Sequence, residues 1–213
     1  MDFKTIYDTL LARFGGEVIL SCTDASEGIR DPFIVVAGPR IEEVCRSCRD
    51  DAALRFDFCQ SITALDTGEP RGLEGVGEEA KPREGVSPEG ANGRLVRPET
   101  NGRSSAPGET LTCVYHLYSY AHRHTLVLKA ATPRATAHLP SCVAVWACAD
   151  WYEREAYDLF GVVFDGHPDL RRLLLPDDWA GHPMRKDWKE GPTYNGIPTT
   201  RDNTLELLEG ELP

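Results

Sequence analysis

The chain has 213 residues, 41% of them hydrophobic, which is enough for one large domain or two small ones with a buried core. Its formal net charge of -11 disfavours binding to nucleic acid or to anionic lipid, because both need a basic surface. No apolar run reaches the roughly 20 residues that span a bilayer and the N-terminus lacks a signal-peptide pattern, so we expect membrane association only through partners.

The chain begins with a helical pattern. Apolar residues at three- and four-residue spacing predict an amphipathic helix over residues 2–14, with Asp2 as its N-cap and Gly15 directly after it. Strand patterns follow over residues 17–22 and 33–37, and the second is apolar enough for a central strand.

Two further elements complete a first α+β unit. Residues 40–54 have a helical pattern, and residues 56–65 have the pattern of a strand. Together with the preceding elements they predict one sheet covered by helices.

A biased segment interrupts this pattern over residues 67–109. Roughly a third of its residues are Gly or Pro, and it contains no aromatic residue. Such a composition buries too little apolar surface to offset the entropy of ordering. We therefore predict a disordered insertion within the domain, since strand patterns resume immediately after it.

The second half of the chain starts with a predicted antiparallel hairpin. Its strands are residues 111–120 and 125–131, and they extend the same sheet. A helix is then predicted from Ser141, which is a suitable N-cap. Its expected buried positions are Val143, Trp146, Ala147, Trp151 and Ala156.

The stretch from Glu153 to Trp188 has an unusual composition. Its first part is helical and ends at Gly161, and two Gly-His-Pro turns follow at 166–168 and 181–183. The stretch is too charged for a core and too rich in Leu, Phe and Trp for a solvated linker. Its pattern predicts an extended arm that lies along a partner and has few contacts within its own chain.

These predictions define the fold class and the domains. The class is α+β, a small mixed sheet covered by helices, with a disordered insertion and an extended C-terminal docking arm. Residues 1–66 and 110–160 form the single domain, 67–109 form the insertion, and 161–213 form the arm.

The same stretch resembles a known signature. The runs 153–161, 166–172 and 175–187 match, in order and spacing, the 30-kilodalton subunit of the proton-pumping NADH:quinone oxidoreductase, respiratory complex I. Weaker likeness extends upstream to about residue 56, whereas 67–109 and the tail after Lys189 depart from the family.

The resemblance implies a role without chemistry of its own. A 30-kilodalton subunit has no catalytic, cofactor or metal residue, and it docks in the peripheral arm against the 49-kilodalton subunit and its neighbours on the cytoplasmic face of the cell membrane. FMN and iron–sulfur clusters in partner chains carry electrons from NADH to quinone. The equivalent subunit of an F420H2 dehydrogenase or of a membrane-bound hydrogenase is the nearest alternative.

The cysteines could instead form a redox or zinc site. Seven cysteines without a secretion signal predict reduced thiols in the cytosol. Cys45 and Cys48 form a C-x-x-C, but they fall on one helical face with apolar residues, which favours core packing over a redox or zinc site. Cys113, Cys142 and Cys148 are isolated in sequence.

The histidines suggest a less favoured alternative, a stand-alone metal-dependent hydrolase. His122 and His124 are predicted to be exposed near a hairpin tip, without a third metal ligand. His167 and His182 each precede a proline, and a turn in which the imidazole bonds to a backbone group explains both.

Carboxylates and arginines of the signature favour an interface over catalysis. Glu153, Glu155 and Asp158 share their helix with Arg154, which predicts structural charge pairs. Arginines among leucines and tryptophans are typical of contact surfaces. The predicted partner interface comprises Glu153, Arg154, Glu155, Asp158, Phe160, His167, Pro168, Asp169, Arg171, Arg172, Trp179, His182, Arg185 and Lys186.

Overall fold

A computed structural model describes residues 2–25, 31–67 and 110–199. The α-helices of this part of the chain are α1 (Phe3–Phe14), α2 (Ile41–Asp50) and α3 (Ala149–Phe160), and a 3-10 turn (Gly38–Arg40) precedes α2. The strands are β1 (Ile19–Thr23), β2 (Phe33–Ala37), β3 (Phe58–Asp66), β4 (Thr110–Ser119), β5 (His124–Pro133), β6 (His138–Pro140), β7 (Val163–Asp165), β8 (Thr193–Tyr194) and β9 (Ile197–Pro198).

Five of the strands form a mixed sheet in the order β1-β2-β5-β4-β3. The pairs β1–β2, β4–β5 and β3–β4 are antiparallel, whereas β2 and β5 are parallel, with Phe33 opposite Val127. The strand β2 therefore lies inside the sheet, as its apolar sequence predicts. The α+β class and the mixed sheet are confirmed.

The core lies between one face of the sheet and the helices. Ile6 and Leu10, one turn apart on α1, are buried there, as are Ile41 and Val44 on α2. Tyr115, at the middle of β4, is fully buried from the sheet side. The first helix begins where it was expected, with the Asp2 carboxylate accepting the N–H of Phe3 at 2.9 Å.

The third helix begins seven residues later than predicted, since its N-cap is Cys148 and not Ser141. Residues 143–148 form turns instead, because the N–H groups of Val145 and Trp146 both donate to the carbonyl of Cys142 at 2.9 Å. The Trp146 indole anchors these turns by donating to the Phe56 carbonyl at 3.1 Å. The shifted start leaves Trp151 60% exposed, so its predicted burial was wrong. Ala147 is exposed as well.

The segment after α3 returns to the domain. The strand β7 pairs in parallel with β6, with Leu139 opposite Phe164, and both of these side chains are buried. A short hairpin of β8 and β9 follows near the end of the described residues. Across the described ranges, no helix is both long and apolar enough to cross a membrane.

The two ends of the predicted insertion lie side by side. Asp66 is opposite Leu111 in the β3–β4 pair, and one residue further on the Thr67 N–H donates to the Thr110 carbonyl at 3.2 Å. Of the predicted disordered insertion, residues 67–109, Thr67 is therefore ordered at the end of β3, and residues 68–109 lie outside the described residues. The chain therefore leaves and re-enters the sheet at one closed rung of the ladder.

Replacing residues 68–109 with Asn-Gly is expected to leave the melting temperature within about 3 °C of wild type. A two-residue Asn-Gly turn closes an antiparallel rung such as Thr67–Thr110, and loop length contributes only slowly to closure entropy. Differential scanning calorimetry measures the change. A fall of more than about 10 °C would show that the segment packs on the sheet.

A variant of that replacement that is one residue shorter provides the control. Removing Thr110 as well shifts the register of β4 by one residue and turns its core side chains to the other face. This control is expected to fail to fold.

Candidate docking site on helix α3 and the C-terminal segment

A buried carboxylate joins α3 to the C-terminal segment (residues 161–199). The Oδ2 atom of Asp158 accepts the backbone N–H groups of Leu173, Leu174 and Leu175 at 3.1, 2.8 and 2.8 Å. Its Oδ1 atom accepts Arg172 Nη1 at 2.8 Å. Three consecutive N–H groups converging on one oxygen form an anion-binding nest. We call these five residues the Asp158 cluster.

The electrostatics of the cluster favour an ionised Asp158. Burial acts to raise the pKa of Asp158, but the three N–H groups and the Arg172 guanidinium outweigh it, so the pKa lies below its ordinary value. Arg172 also donates through Nη2 to the carbonyls of Trp179 at 3.0 Å and Gly181 at 3.3 Å. One guanidinium thus fixes both the start and the end of the loop 172–181.

Arg154 makes a second connection to the same segment. Its Nε and Nη2 atoms donate to the carbonyls of Arg171 and Arg172, both at 3.3 Å. The guanidinium also lies over the exposed Trp151 ring, 5.3 Å from its centroid.

Glu153 points in the opposite direction, into the core. Its side chain accepts the Ser141 hydroxyl and the Cys142 N–H, each at 2.6 Å. Burial raises the pKa of Glu153 to about 7, and these two hydrogen bonds oppose the rise. Glu153 therefore connects α3 to the loop after β6.

Both Gly-His-Pro histidines bond to backbone groups, as their turns predicted. His167 Nδ1 accepts the Asp169 N–H at 3.0 Å, which leaves the proton on Nε2, 3.2 Å from the Asp150 carbonyl. His182 Nδ1 donates to the Asp158 carbonyl at 2.9 Å. Burial lowers the pKa of His182, and that backbone bond opposes the decrease.

Gly161 is required between α3 and His182 for two reasons. Its φ of +75° is left-handed, and a Cβ atom there would lie only 2.6 Å from the His182 ring. The helix end and the second Gly-His-Pro turn are therefore in direct contact.

The expected lack of intrachain contacts in the arm was wrong for residues 161–188. The backbone of this segment bonds to α3 and to β3, for example through Met184 N–H to the Leu159 carbonyl at 3.1 Å and Lys186 N–H to Asp66 Oδ2 at 2.9 Å. Side chains of the segment also contact one another, since Trp179 stacks on Trp188 with ring centroids 6.2 Å apart.

The predicted interface residues therefore differ in accessibility. Glu153, Arg154 and Asp158 are buried, because their polar groups bond within the chain. Phe160, His167, Arg172, Trp179, His182 and Arg185 are half-buried. Glu155, Pro168, Asp169, Arg171 and Lys186 are exposed.

The inward direction of Glu153 agrees with its spacing on the helix. Glu153 lies four residues after Ala149 and three before Ala156, and both alanines are buried. Its partners Ser141 and Cys142 carry no such signal, because they belong to a loop.

The remaining candidate histidines and cysteines lie at the hairpin tip and in the core. His124 is buried, its Nε2 lies 2.9 Å from the Leu54 carbonyl, and its predicted exposure was wrong, whereas His122 is exposed. Cys45 and Cys48 are fully buried in the core, as predicted. Within the described ranges, no group of three or more His, Cys, Asp or Glu side chains is arranged to hold a metal ion.

A protein-family model described as the 30 kDa subunit of respiratory-chain NADH dehydrogenase matches residues 34–194. The chain belongs to this family. The match runs from Ile34 in β2 through the Asp158 cluster to Tyr194 in β8, so the strands β2 to β5, α3 and most of the C-terminal segment lie within the matched region. The resemblance noted in the sequence is confirmed.

Relatives and solved structures agree with this assignment. The NADH-quinone oxidoreductase C subunit of Salinispora arenicola is 42% identical over 174 residues, 82% of this chain and 52% of that protein. The chain thus spans about half the length of curated relatives of this kind.

Two solved structures share the fold of this 30 kDa subunit family member. The trypsin-resistant fragment 1–134 of Nqo5 has a TM-score of 0.51 at 23% identity, over 80% of this chain and 100% of that one. A chain of a membrane-bound sulfane sulfur reductase, an archaeal respiratory membrane complex, has a TM-score of 0.56 at 20% identity, over 87% and 85%.

Two adjacent arginines of the C-terminal segment differ in burial. The Arg172 side chain is 19% exposed and paired with fully buried Asp158, so Arg172→Ala is expected to lower the free energy of unfolding by about 2–3 kcal/mol. The Arg171 side chain is 70% exposed and pairs with exposed Asp169, so Arg171→Ala is expected to leave the melting curve unchanged. Urea denaturation of the purified chain measures both variants.

The expectation that both arginines act only at an interface was therefore wrong for Arg172, because its guanidinium is bonded within the chain. Equal destabilisation by the two substitutions would contradict this distinction.

Proposed function

We propose that the chain acts as the 30 kDa subunit of an NADH-quinone oxidoreductase, a non-catalytic part of its peripheral arm. The observation that carries this proposal is the family match over residues 34–194, which includes all five residues of the Asp158 cluster. Such an enzyme passes electrons from NADH through FMN and iron–sulfur clusters to quinone and couples this to proton translocation. In the proposal those cofactors belong to partner chains.

The bonding of the signature residues supports a non-catalytic role. Asp158, Glu153 and both Gly-His-Pro histidines are engaged with backbone or hydroxyl groups of their own chain. A general base needs a nucleophile or an acid within hydrogen-bonding reach, and these side chains use that reach for structure. We propose that the signature preserves the shape of the C-terminal segment.

We further propose that this shape is what a partner recognises. The Asp158 cluster and Arg154 hold the segment against α3, which leaves Trp151 and Leu174 60% and 62% exposed. Two helical turns separate Trp151 from Asp158, or about 10 Å, and the neighbouring Arg171 side chain is exposed. Exposed Trp and Arg side chains are enriched in interaction hot spots, and the exposed Leu174 adds apolar area beside them.

The proposed partner of this surface is the 49-kilodalton subunit, together with other peripheral-arm subunits. The proposed location is the cytoplasmic face of the cell membrane, reached through the complex. Of the predicted interface residues, the exposed ones (Glu155, Pro168, Asp169, Arg171 and Lys186) are proposed to contact partners directly.

Purification of the tagged chain from its native membranes tests the function. We expect the 49-kilodalton subunit and the flavin- and cluster-bearing chains to co-purify, with NADH:quinone activity in the same fractions. The isolated chain is expected to be colourless. Reduction of quinone only by F420H2 or hydrogen would replace the proposal with the corresponding alternative complex, and purification of a monomer with bound metal would favour a hydrolase.

A further inference from the structure

Cysteines that are far apart in sequence meet around the loop between β6 and α3. Burial and the nearby Cys142 thiol raise the pKa of Cys45 on α2, and burial and the nearby Cys148 thiol raise the pKa of Cys59 on β3. The Cys148 thiol also donates to the Cys59 carbonyl at 3.5 Å. Cys142 and Cys148, which are isolated in sequence, therefore have cysteine neighbours in the fold.

The two thiol pairs differ in access to solvent. Cys45 and Cys142 are both fully buried, so a dissolved oxidant does not reach either sulfur. Cys59 is 1% exposed, but its neighbour Cys148 is only half-buried. Burial raises the pKa of Cys59, which keeps that sulfur a protonated thiol behind Cys148.

The backbone around Cys59 and Cys148 holds the two sulfurs together. Cys59 belongs to the edge strand β3, and Cys148 directly precedes α3, which packs on that strand. The Tyr152 hydroxyl, one turn into α3, donates to the Gln60 carbonyl at 2.8 Å. A contact fixed in this way gives each thiol a high effective concentration at the other, which offsets the low thiolate fraction of Cys59.

We propose that Cys59 and Cys148 form a redox-responsive thiol pair that closes to a disulfide when a peroxide oxidises Cys148. In the first step the Cys148 sulfur attacks the O–O bond, giving Cys148 sulfenic acid and one water. In the second step the Cys59 sulfur displaces hydroxide from the sulfenic sulfur and loses its proton, giving the disulfide and a second water. Two thiols lose two electrons in total, and one hydrogen peroxide accepts them.

The bond would connect residues 89 positions apart, at the junction of α3 with the edge strand. Closing so long a loop restricts the unfolded chain, so the oxidised protein is expected to melt at a higher temperature than the reduced protein. Dithiothreitol is expected to reverse both the bond and the change in melting temperature.

The test uses the full-length folded chain with Cys22→Ser, which removes the exposed cysteine and with it a route to intermolecular dimers. The protein is treated with hydrogen peroxide, quenched with an alkylating reagent, and mapped as non-reduced peptides. The expected product lacks two hydrogen atoms and contains a peptide that joins Cys59 to Cys148. Cys45 and Cys142 are expected to remain reduced, because both are fully buried.

Two variants distinguish the proposed disulfide from non-specific oxidation of cysteines. Cys148→Ser is expected to abolish the cross-link, and Cys59→Ser is expected to leave Cys148 as a sulfenic or sulfinic acid. The proposal is overturned if wild-type Cys148 is oxidised while Cys59 remains alkylatable. A Cys45–Cys142 link that forms as fast as the Cys59–Cys148 link would overturn it too. The wild-type peptide map decides even when a variant does not fold.

Discussion

Replacing Asp158 with Asn is expected to lower the free energy of unfolding by about 3–5 kcal/mol. The substitution removes the negative charge that three backbone N–H groups and Arg172 surround, and it leaves a half-buried guanidinium without its counter-charge. The amide group of Asn also places its own N–H donors against neighbouring groups that are themselves hydrogen-bond donors. Urea denaturation followed by circular dichroism measures the loss.

The effect is expected to begin in the C-terminal segment. Hydrogen exchange of the Leu173, Leu174 and Leu175 amides should accelerate in the Asp158→Asn variant more than exchange in β4, since these amides donate directly to the missing charge. Asp169→Asn is the matched control, because Asp169 is exposed and bonds to exposed Arg171. If both variants melted like wild type, the Asp158 cluster would not anchor the segment.

Replacing Glu153 with Gln is expected to change how stability depends on pH. The folded-state pKa of Glu153 is raised from 4.5 to about 7, so the folded protein holds this proton more tightly than the unfolded chain does. The resulting stability is fully present below about pH 4.5 and is lost as the pH rises through about 7. Wild type should therefore lose about 2–3 kcal/mol from this site between pH 5 and pH 8.

Glutamine keeps an oxygen for the Cys142 N–H and offers an N–H to the Ser141 hydroxyl, but it does not titrate. The stability of Glu153→Gln relative to wild type is thus expected to increase from pH 5 to pH 8. Burial lowers the pKa of His124 and of His182, which stabilises the protein as the pH rises through their range in both proteins alike.

Chemical denaturation at pH 5, 6, 7 and 8 measures the Glu153 effect. The neighbouring exposed Glu155→Gln variant controls for the change in net charge, and its curve should run parallel to that of wild type. A constant difference between Glu153→Gln and wild type at all four pH values would contradict a titrating Glu153.

The sheet could be predicted from sequence because its signals are local. Alternation along β3 and β4 identifies the strands, and the spacing of Ile6 and Leu10 identifies the buried side of α1. The parallel pairing of β2 with β5 has no such signal, since it depends on strands that are about 94 residues apart, as in the pair Phe33–Val127.

The sequence identified the residues of the candidate site but not the direction in which their side chains point. Asp158, Arg172 and His182 were all identified. The partners of Asp158, however, are backbone N–H groups, which cannot be predicted from residue type. The charge of Glu153 and Arg154 indicated a partner interface, whereas both are buried in their own chain, where contacts with Ser141 and with the carbonyls of Arg171 and Arg172 compensate for the burial. The Cys59–Cys148 contact depends on tertiary packing in the same way.

The order of the strands has a consequence for the folding of the nascent chain. The strand β5 lies at the centre of the sheet but is synthesised after β1, β2, β3 and residues 68–109. Until residue 133 has left the ribosome, β2 lacks its parallel neighbour and the β1–β2 pair is a two-stranded ribbon, which is only marginally stable. The N-terminal half therefore cannot complete its sheet until β5 has been synthesised. A truncated product would expose apolar strand edges to chaperones and proteases.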